Sequence, residues 1–251
     1  MESKRLLECL DADFHRMREV VAGADLTAMV PSCPEWTVAD LARHVGAVYL
    51  HKVECMRLGT HPAEWPPPGL NSEDPVALLD RAYPALAAEF AARAPESHSF
   101  TWYEPDQTVG FWIRRMAQET VIHRVDAELG AGVEPASIPS DLAHDGIDEF
   151  LVAFVAFGAA AYPEEYSTLL AESDGRAVRL STPDVAWLVR LTVAGIEVAH
   201  GEADNAAATV HGDPADLLLW VWGRVGDASV TIAGDSEAVT DLRQVFAISA
   251  Q

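Results

Sequence analysis

The chain has 251 residues, of which 17 are basic and 39 are acidic, so its formal net charge at pH 7 is −22. Such a surface repels phosphate backbones and anionic lipid headgroups, and we therefore expect neither nucleic acid nor a membrane as a partner. The apolar content of 49% is that of an ordinary globular protein, and a chain of this length can bury a sizeable core.

The first part of the chain predicts helices. Apolar residues recur at every third or fourth position over residues 6–21, which indicates one amphipathic helix. Thr37, with Asp40 three residues later, resembles a capping box that starts a second helix. Gly59 fits the end of that helix, since glycine commonly follows the last helical residue.

Two further helices complete this half. The proline-rich residues 60–75 predict a loop. A third helix is expected over residues 76–94, kinked or restarted at Pro84. A fourth is expected over residues 109–129, and glycines follow it. Four helices joined by loops predict an up-down bundle over residues 1–135.

The remainder, residues 136–251, predicts a small α+β domain, and the fold class of the whole chain is therefore α+β. A helix is expected over residues 140–161. Runs of β-branched and apolar residues predict a hairpin within residues 176–193. Four elements then follow in order: a strand in AAATVHG, a buried helix in DPADLLLWVWGR, a strand in DASVTIAGD and a helix in SEAVTDLRQVF.

Residue usage predicts a cytoplasmic protein. Lysine occurs only at positions 4 and 52, and this arginine-rich composition is typical of a high-GC genome such as that of an actinobacterium. The three cysteines form no CxxC pair, which favours reduced thiols. The N-terminus lacks the apolar run of a signal peptide, and no segment approaches the length of a membrane span.

The segment MAQETVIHRVDAELG suggests a metal site. Glu119 and His123 are four residues apart on a predicted helix and therefore project from one face. His44 lies beside the apolar stripe of the second helix, so it is expected to point into the bundle. Two nitrogens and one oxygen suit Zn²⁺ with one position left open, and Ni²⁺ or Fe²⁺ could use the same ligands.

Each of these signals also has an ordinary structural explanation. A Glu and a His four residues apart commonly form a surface pair, and a lone His beside an apolar stripe is commonly a packed core residue. Asp126 could orient His123 or be an ordinary solvated carboxylate. For Asp40, helix capping is favoured over a role at the metal. For His51, a surface or packing position is favoured over a role as fourth ligand or proton carrier. Three tryptophans could wall a pocket, with core packing as the default: Trp36, Trp102 and Trp112.

Three segments together carry a family resemblance. CPEWTVADLARHVGAVYLH looks like the W-T-V-x-D-L-x-x-H segment of the mycothiol-dependent maleylpyruvate isomerase family, and ETVIHRVDAELG is similar to its E-x-x-x-H-R-x-D-x segment. HGDPADLLLWVWGR resembles the family's G-x-x-x-D-L-L-L-W-x-x-G-R segment. The segments occur in the expected order and cover both halves of the chain.

The resemblance implies a DinB-like four-helix bundle followed by a sterol carrier protein-like domain. It places the family's metal ligands on His44, Glu119 and His123. The implied activity is isomerisation or thiol transfer that uses mycothiol as cofactor and a small electrophile as substrate. Arg224 falls within the third segment, where it could hold a substrate carboxylate or form a structural salt bridge.

The implied chemistry is physically reasonable. A free thiol has a pKa near 8.5, and coordination to a divalent cation converts it to the nucleophilic thiolate. Two alternatives remain open from the sequence. The same metal site could activate water in a hydrolase. The chain could also be a non-catalytic ligand-binding module, although it lacks the HxxxCxxC spacing of zinc-sensing regulators.

Overall fold

The computed structural model describes residues 1–201 and 205–250. The chain divides into two compact units, Met1–Ser137 and Ile138–Gln251. The first unit is built mainly of helices, and the second combines a mixed sheet with helices. The α+β class predicted from the sequence is confirmed.

The first unit is a four-helix bundle, as predicted. Its helices are α1 (Ser3–Gly23), α2 (Val38–Leu58), α3 (Pro75–Ala91) and α4 (Val109–Gly130). Helix α1 packs against α4, and α2 packs against both α3 and α4. The apolar stripe over residues 6–21 faces this core, because Leu6, Leu10, Phe14 and Met17 are buried.

Both ends of α2 follow from the local sequence. The backbone N–H of Asp40 donates to Thr37 Oγ1 at 3.2 Å, and Asp40 Oδ2 accepts from the backbone N–H of Thr37 at 3.0 Å, which confirms the capping box. Asp40 therefore serves the helix start. Gly59 ends the helix with φ of 68°, a left-handed conformation that glycine adopts without steric cost.

Helix α3 runs unbroken past Pro84, so the restart that the sequence allowed does not occur. Leu79 before the proline and Leu86 after it are both fully buried. Their burial keeps the two halves in one helix, because it outweighs the one backbone hydrogen bond that proline removes. The proline-rich loop before α3 also contains a short 3₁₀-helix, Leu70–Ser72.

A short hairpin that was not predicted from the sequence precedes α2. Strands β1 (Met29–Val30) and β2 (Cys33–Thr37) pair antiparallel. Two prolines made a strand prediction unattractive here, since proline cannot donate to a strand ladder. With only two strands, both strands of the hairpin are edges, where this loss is tolerated.

The second unit contains a five-stranded sheet in the order β5-β4-β3-β6-β7. Its strands are β3 (Ala177–Ser181), β4 (Ala186–Thr192), β5 (Gly195–His200), β6 (Ala208–His211) and β7 (Thr231–Gly234). The predicted hairpin is confirmed as the antiparallel pair β3–β4, and β3 pairs parallel with β6. Strand β5 was not predicted. It lies at the sheet edge and only Ile196 is buried, so its apolar signal is weak.

The predicted helix over 140–161 is continuous but changes its winding. It consists of α5 (Ser140–Glu149), a π-helical segment (Phe150–Ala156) and α6 (Phe157–Ala161). A helix that was not predicted, α7 (Pro163–Ala171), follows directly, with Pro163 at its first position. The two predicted helices at the end of the chain are α8 (Pro214–Val221) and α9 (Ser236–Ser249).

The length and apolar content of the helices bear on whether any of them could cross a membrane. Within the described residues no single helix is long and apolar enough to cross a bilayer. The pair Ser140–Ala161 and Pro163–Ala171 is bent by 92° at its break. It reaches the length and apolar content of a membrane span only when its two parts are taken together, which is weak evidence.

Candidate metal centre

Three side chains from two helices of the bundle converge on one point. His44 projects from α2, and Glu119 and His123 project from α4; one ligand atom from each lies within 4.8 Å of the others. Glu119 Oε1 is 3.1 Å from His44 Nε2 and 3.3 Å from His123 Nε2. The structure therefore brings together all three residues that the sequence suggested as ligands. Among residues 1–201 and 205–250, no other group of three such side chains meets this distance.

The spacing of these atoms fits a coordination sphere. Zinc binds imidazole nitrogen at about 2.0–2.1 Å and carboxylate oxygen at about 2.0–2.2 Å, so neighbouring ligand atoms of a tetrahedral site lie about 3.3–3.5 Å apart. The two measured contacts to Glu119 Oε1 are close to this value. Two nitrogens and one oxygen are also a donor set that divalent transition metals accept. The residues present therefore fit a divalent cation.

A buried hydroxyl pair ties α2 to α4 beside the site. Tyr49 and Thr120 contact each other through their hydroxyl oxygens at 2.5 Å. Thr120 Oγ1 donates to the carbonyl of Met116 at 2.6 Å, so the Tyr49 hydroxyl is the donor of the pair. Burial raises the pKa of Tyr49, which keeps this hydroxyl protonated. The contact fixes the separation of the two helices that carry the three converging side chains.

Asp126 supports His123 from the side away from Glu119. Its Oδ2 lies 2.9 Å from His123 Nδ1, and its Oδ1 accepts from Ser32 Oγ at 2.5 Å. The carboxylate is fully buried. With Nδ1–H donating to Asp126, His123 Nε2 is the nitrogen that faces the point of convergence, as in many metal sites.

The charges of the site keep Glu119 ionised. Burial by itself raises the pKa of Glu119. His123, His44 and Arg115 together lower it by more, so the pKa of Glu119 lies well below its usual range. Arg115 Nη2 is 3.3 Å from Glu119 Oε2, the oxygen that does not face the histidines. Burial lowers the pKa of His123, whereas Glu119 and Asp126 raise it to about 9. The metal-free site therefore holds a proton on His123 that a bound cation would displace.

One side of the site is open. The side chain of His44 is 35% exposed, whereas Glu119 and His123 are 17% and 10% exposed. The ring of Trp36 lies 4.7 Å from that of His44 and 6.1 Å from that of His123, measured between centroids. Trp36 thus covers part of the imidazole surface and leaves access from the side of His44.

Two supporting residues were missed from the sequence. Arg115 lies four residues before Glu119, and this spacing on a helix could have indicated the pair. Ser32 contacts Asp126 across 94 residues of chain, and no local pattern indicates such a contact.

Two residues considered from the sequence lie outside the converging group. His51 contacts Lys52 Nζ through Nδ1 at 3.1 Å and is not a member of the group. Burial, Lys52 and His61 lower the pKa of His51 to about 4. Arg224 belongs to the second unit, where its Nη1 donates to the carbonyl of Trp222 at 2.8 Å. Its role toward a substrate stays a prediction.

Comparison with known families gives two matches that together cover most of the chain. Residues 7–128 match the mycothiol maleylpyruvate isomerase N-terminal domain, and residues 141–240 match the C-terminal domain of the same family. No curated protein matches the chain at a significant level.

Solved structures share the fold over nearly the full length. The crystal structure of a mycothiol-dependent maleylpyruvate isomerase aligns with a TM-score of 0.61 at 15% identity, covering 94% of this chain and 95% of that one. A variant of that enzyme with one histidine replaced by alanine aligns with a TM-score of 0.59 at the same identity and coverage. At this identity the likeness concerns the fold.

Proposed function

This chain belongs to the mycothiol maleylpyruvate isomerase family, and from that premise we propose that it is a metal-dependent enzyme that uses mycothiol to isomerise, or to add sulfur to, a small electrophile. The observation that carries the proposal is the convergence of His44 Nε2, Glu119 Oε1 and His123 Nε2 on one point that is open on one side.

His44, Glu119 and His123 would hold the cation, for which Zn²⁺ is the best match and Ni²⁺ or Fe²⁺ are alternatives. A bound divalent cation lowers the pKa of a coordinated thiol and so supplies the thiolate nucleophile at neutral pH. With three protein ligands, a four-coordinate cation would have one position for that sulfur.

The surrounding residues prepare this ligand set. Asp126 fixes the ring orientation and the protonated nitrogen of His123, and Ser32 in turn holds Asp126. Arg115 binds the outer oxygen of Glu119 and leaves the inner oxygen directed at the histidines. Such preorganisation reduces the rearrangement needed when the cation binds.

The thiolate chemistry accounts for both named reaction types. For isomerisation, sulfur adds to one carbon of an activated double bond, the former double bond rotates as a single bond, and sulfur leaves again as the double bond re-forms. For transfer, the adduct instead takes up a proton at the neighbouring carbon and the sulfur remains attached. The substrate decides which path is followed.

Metal analysis of purified variants tests the ligand set. We expect one divalent ion per chain in the wild type and its loss in His44→Ala and His123→Ala. His15→Ala is a matched control, because this histidine lies on α1 with its side chain 67% exposed. Undiminished metal in both ligand variants would rule out the proposed site.

A second assay separates the proposed reaction from the alternatives. We expect turnover of an activated alkene acid by the metal-loaded enzyme to require mycothiol. Full turnover without the thiol would indicate a hydrolase that activates water at the same position. A protein that binds neither metal nor thiol would instead be a ligand-binding module.

A further inference from the structure

Lys52 is a charged residue that the proposed metal chemistry does not use. Its Nζ lies 3.1 Å from His51 Nδ1 and 4.8 Å from the ring centre of Trp112. Within the described part of the chain, no carboxylate oxygen lies within 4.0 Å of this ammonium group. An ammonium group has three hydrogens to donate, and the imidazole takes one of them. Lys52 thus retains donors for a ligand.

The two neighbours hold Lys52 in place without neutralising it. Burial, Lys52 and His61 lower the pKa of His51 to about 4, so its imidazole is neutral and Nδ1 offers a lone pair to Lys52. Trp112 is fixed by its own hydrogen bond from Nε1 to the carbonyl of Phe100 at 2.8 Å. Its ring face attracts a cation but carries no net charge. The positive charge of Lys52 is therefore held in place with no carboxylate of the described residues in direct contact. Burial lowers the pKa of Lys52, and the more distant charge of Glu119 raises it.

This charge acts on the same region as the metal centre. Lys52 follows His44 by eight residues on α2, and its charge interacts with those of Glu119 and Arg115. A bound divalent cation would add two positive charges to that of Lys52, against the negative charges of Glu119 and Asp126. In a chain whose net charge is −22, such a surplus favours an anionic ligand.

We propose that Lys52 binds a carboxylate group of the electrophilic substrate beside the metal centre and so selects carboxylated electrophiles over neutral ones. The inference rests on the proposed function and names the substrate class of the same site. Eight residues of α-helix span about 12 Å, so the carboxylate that Lys52 holds would lie several bonds away from the carbon that sulfur attacks.

Substrate selectivity tests this role. 7-Oxooct-5-enoate and its methyl ester present the same ketone-activated double bond, with and without a negative charge about four bonds away from the carbon that sulfur attacks. We expect Lys52→Met to lower the ratio of kcat/KM for the acid over that for the ester by about 10- to 100-fold, the loss of one charged hydrogen bond. Lys52→Arg, which keeps the charge, should restore part of the ratio. Lys4→Met is the matched control at the chain's other lysine, which is exposed on α1.

A binding measurement keeps the test independent of turnover. Succinate, which has no double bond to react, is titrated calorimetrically into the metal-loaded protein without thiol. We expect its affinity to fall about 10- to 100-fold in Lys52→Met at equal metal content. Absence of succinate binding in the wild type, or equal affinity in Lys52→Met together with an unchanged acid-to-ester ratio, would overturn the inference. Failure of the proposed function would appear instead as missing metal or missing thiol dependence in the wild type, whatever the succinate comparison gives.

Discussion

Asp126 allows the support of the metal ligands to be tested separately from the ligands themselves. The substitution Asp126→Ala removes the carboxylate that accepts from His123 Nδ1 at 2.9 Å and from Ser32 Oγ at 2.5 Å. Asp126→Asn keeps an oxygen for the imidazole but removes the charge. The three converging ligand atoms are unchanged in both variants, so any loss of metal affinity comes through His123.

The size of the effect follows from this geometry. His123 projects Nε2 toward Glu119 only while Nδ1 is held on the opposite side of the ring, and the carboxylate also makes the ring a stronger base. Removal of such a partner costs 10- to 100-fold in metal affinity in known sites, which is about 1.4–2.7 kcal/mol. We expect Asp126→Ala to reach the upper part of this range and Asp126→Asn the lower part.

Competition with a fluorescent zinc chelator measures the affinities directly. Ser32→Ala is the matched control, since it removes one hydrogen bond from Asp126 but leaves the His123 contact in place. Circular dichroism at the assay temperature verifies that each variant is folded. Unchanged zinc affinity in folded Asp126→Ala would refute the role of this carboxylate in orienting His123.

Three further changes test the electrostatics and the frame of the bundle. Glu119 and Asp126 raise the pKa of His123 to about 9, so a proton on this imidazole competes with the metal below that pH. Zinc affinity should therefore rise about tenfold per pH unit between about pH 6.5 and 8.5. A flat profile would contradict this. Arg124→Met leaves the buried carboxylates of Asp13 and Glu128 without their shared guanidinium. The free energy of unfolding, measured in urea, should fall by about 3–5 kcal/mol. A fall of less than about 1 kcal/mol would show that the network is not needed for stability. Thr37→Ala removes the hydroxyl that caps α2 and should lower the free energy of unfolding by about 1 kcal/mol in the same assay. Thr37→Ser keeps a hydroxyl and should leave it nearly unchanged. An equal loss in both variants would mean that the cap is not the cause.

The convergence of His44, Glu119 and His123 could be predicted because its signals are local. Glu119 and His123 share a helix face through their four-residue spacing, which holds wherever the helix lies. The start of α2 at Thr37 and its end at Gly59 are determined by residues at the helix termini. The side of α2 that faces the bundle, and with it His44, follows from the apolar periodicity.

The sequence by itself determined where most of the helices form and which residues they turn toward the core, because caps and periodicity act within a few residues. Helix α7 is the exception. Only the tertiary structure decided which groups from distant segments meet. Ser32 reaches Asp126 across 94 residues, and Lys52 comes to lie over the ring of Trp112 through the packing of α2 on α4. Such contacts depend on how complete elements pack, and a pattern of neighbouring residues carries no information about them.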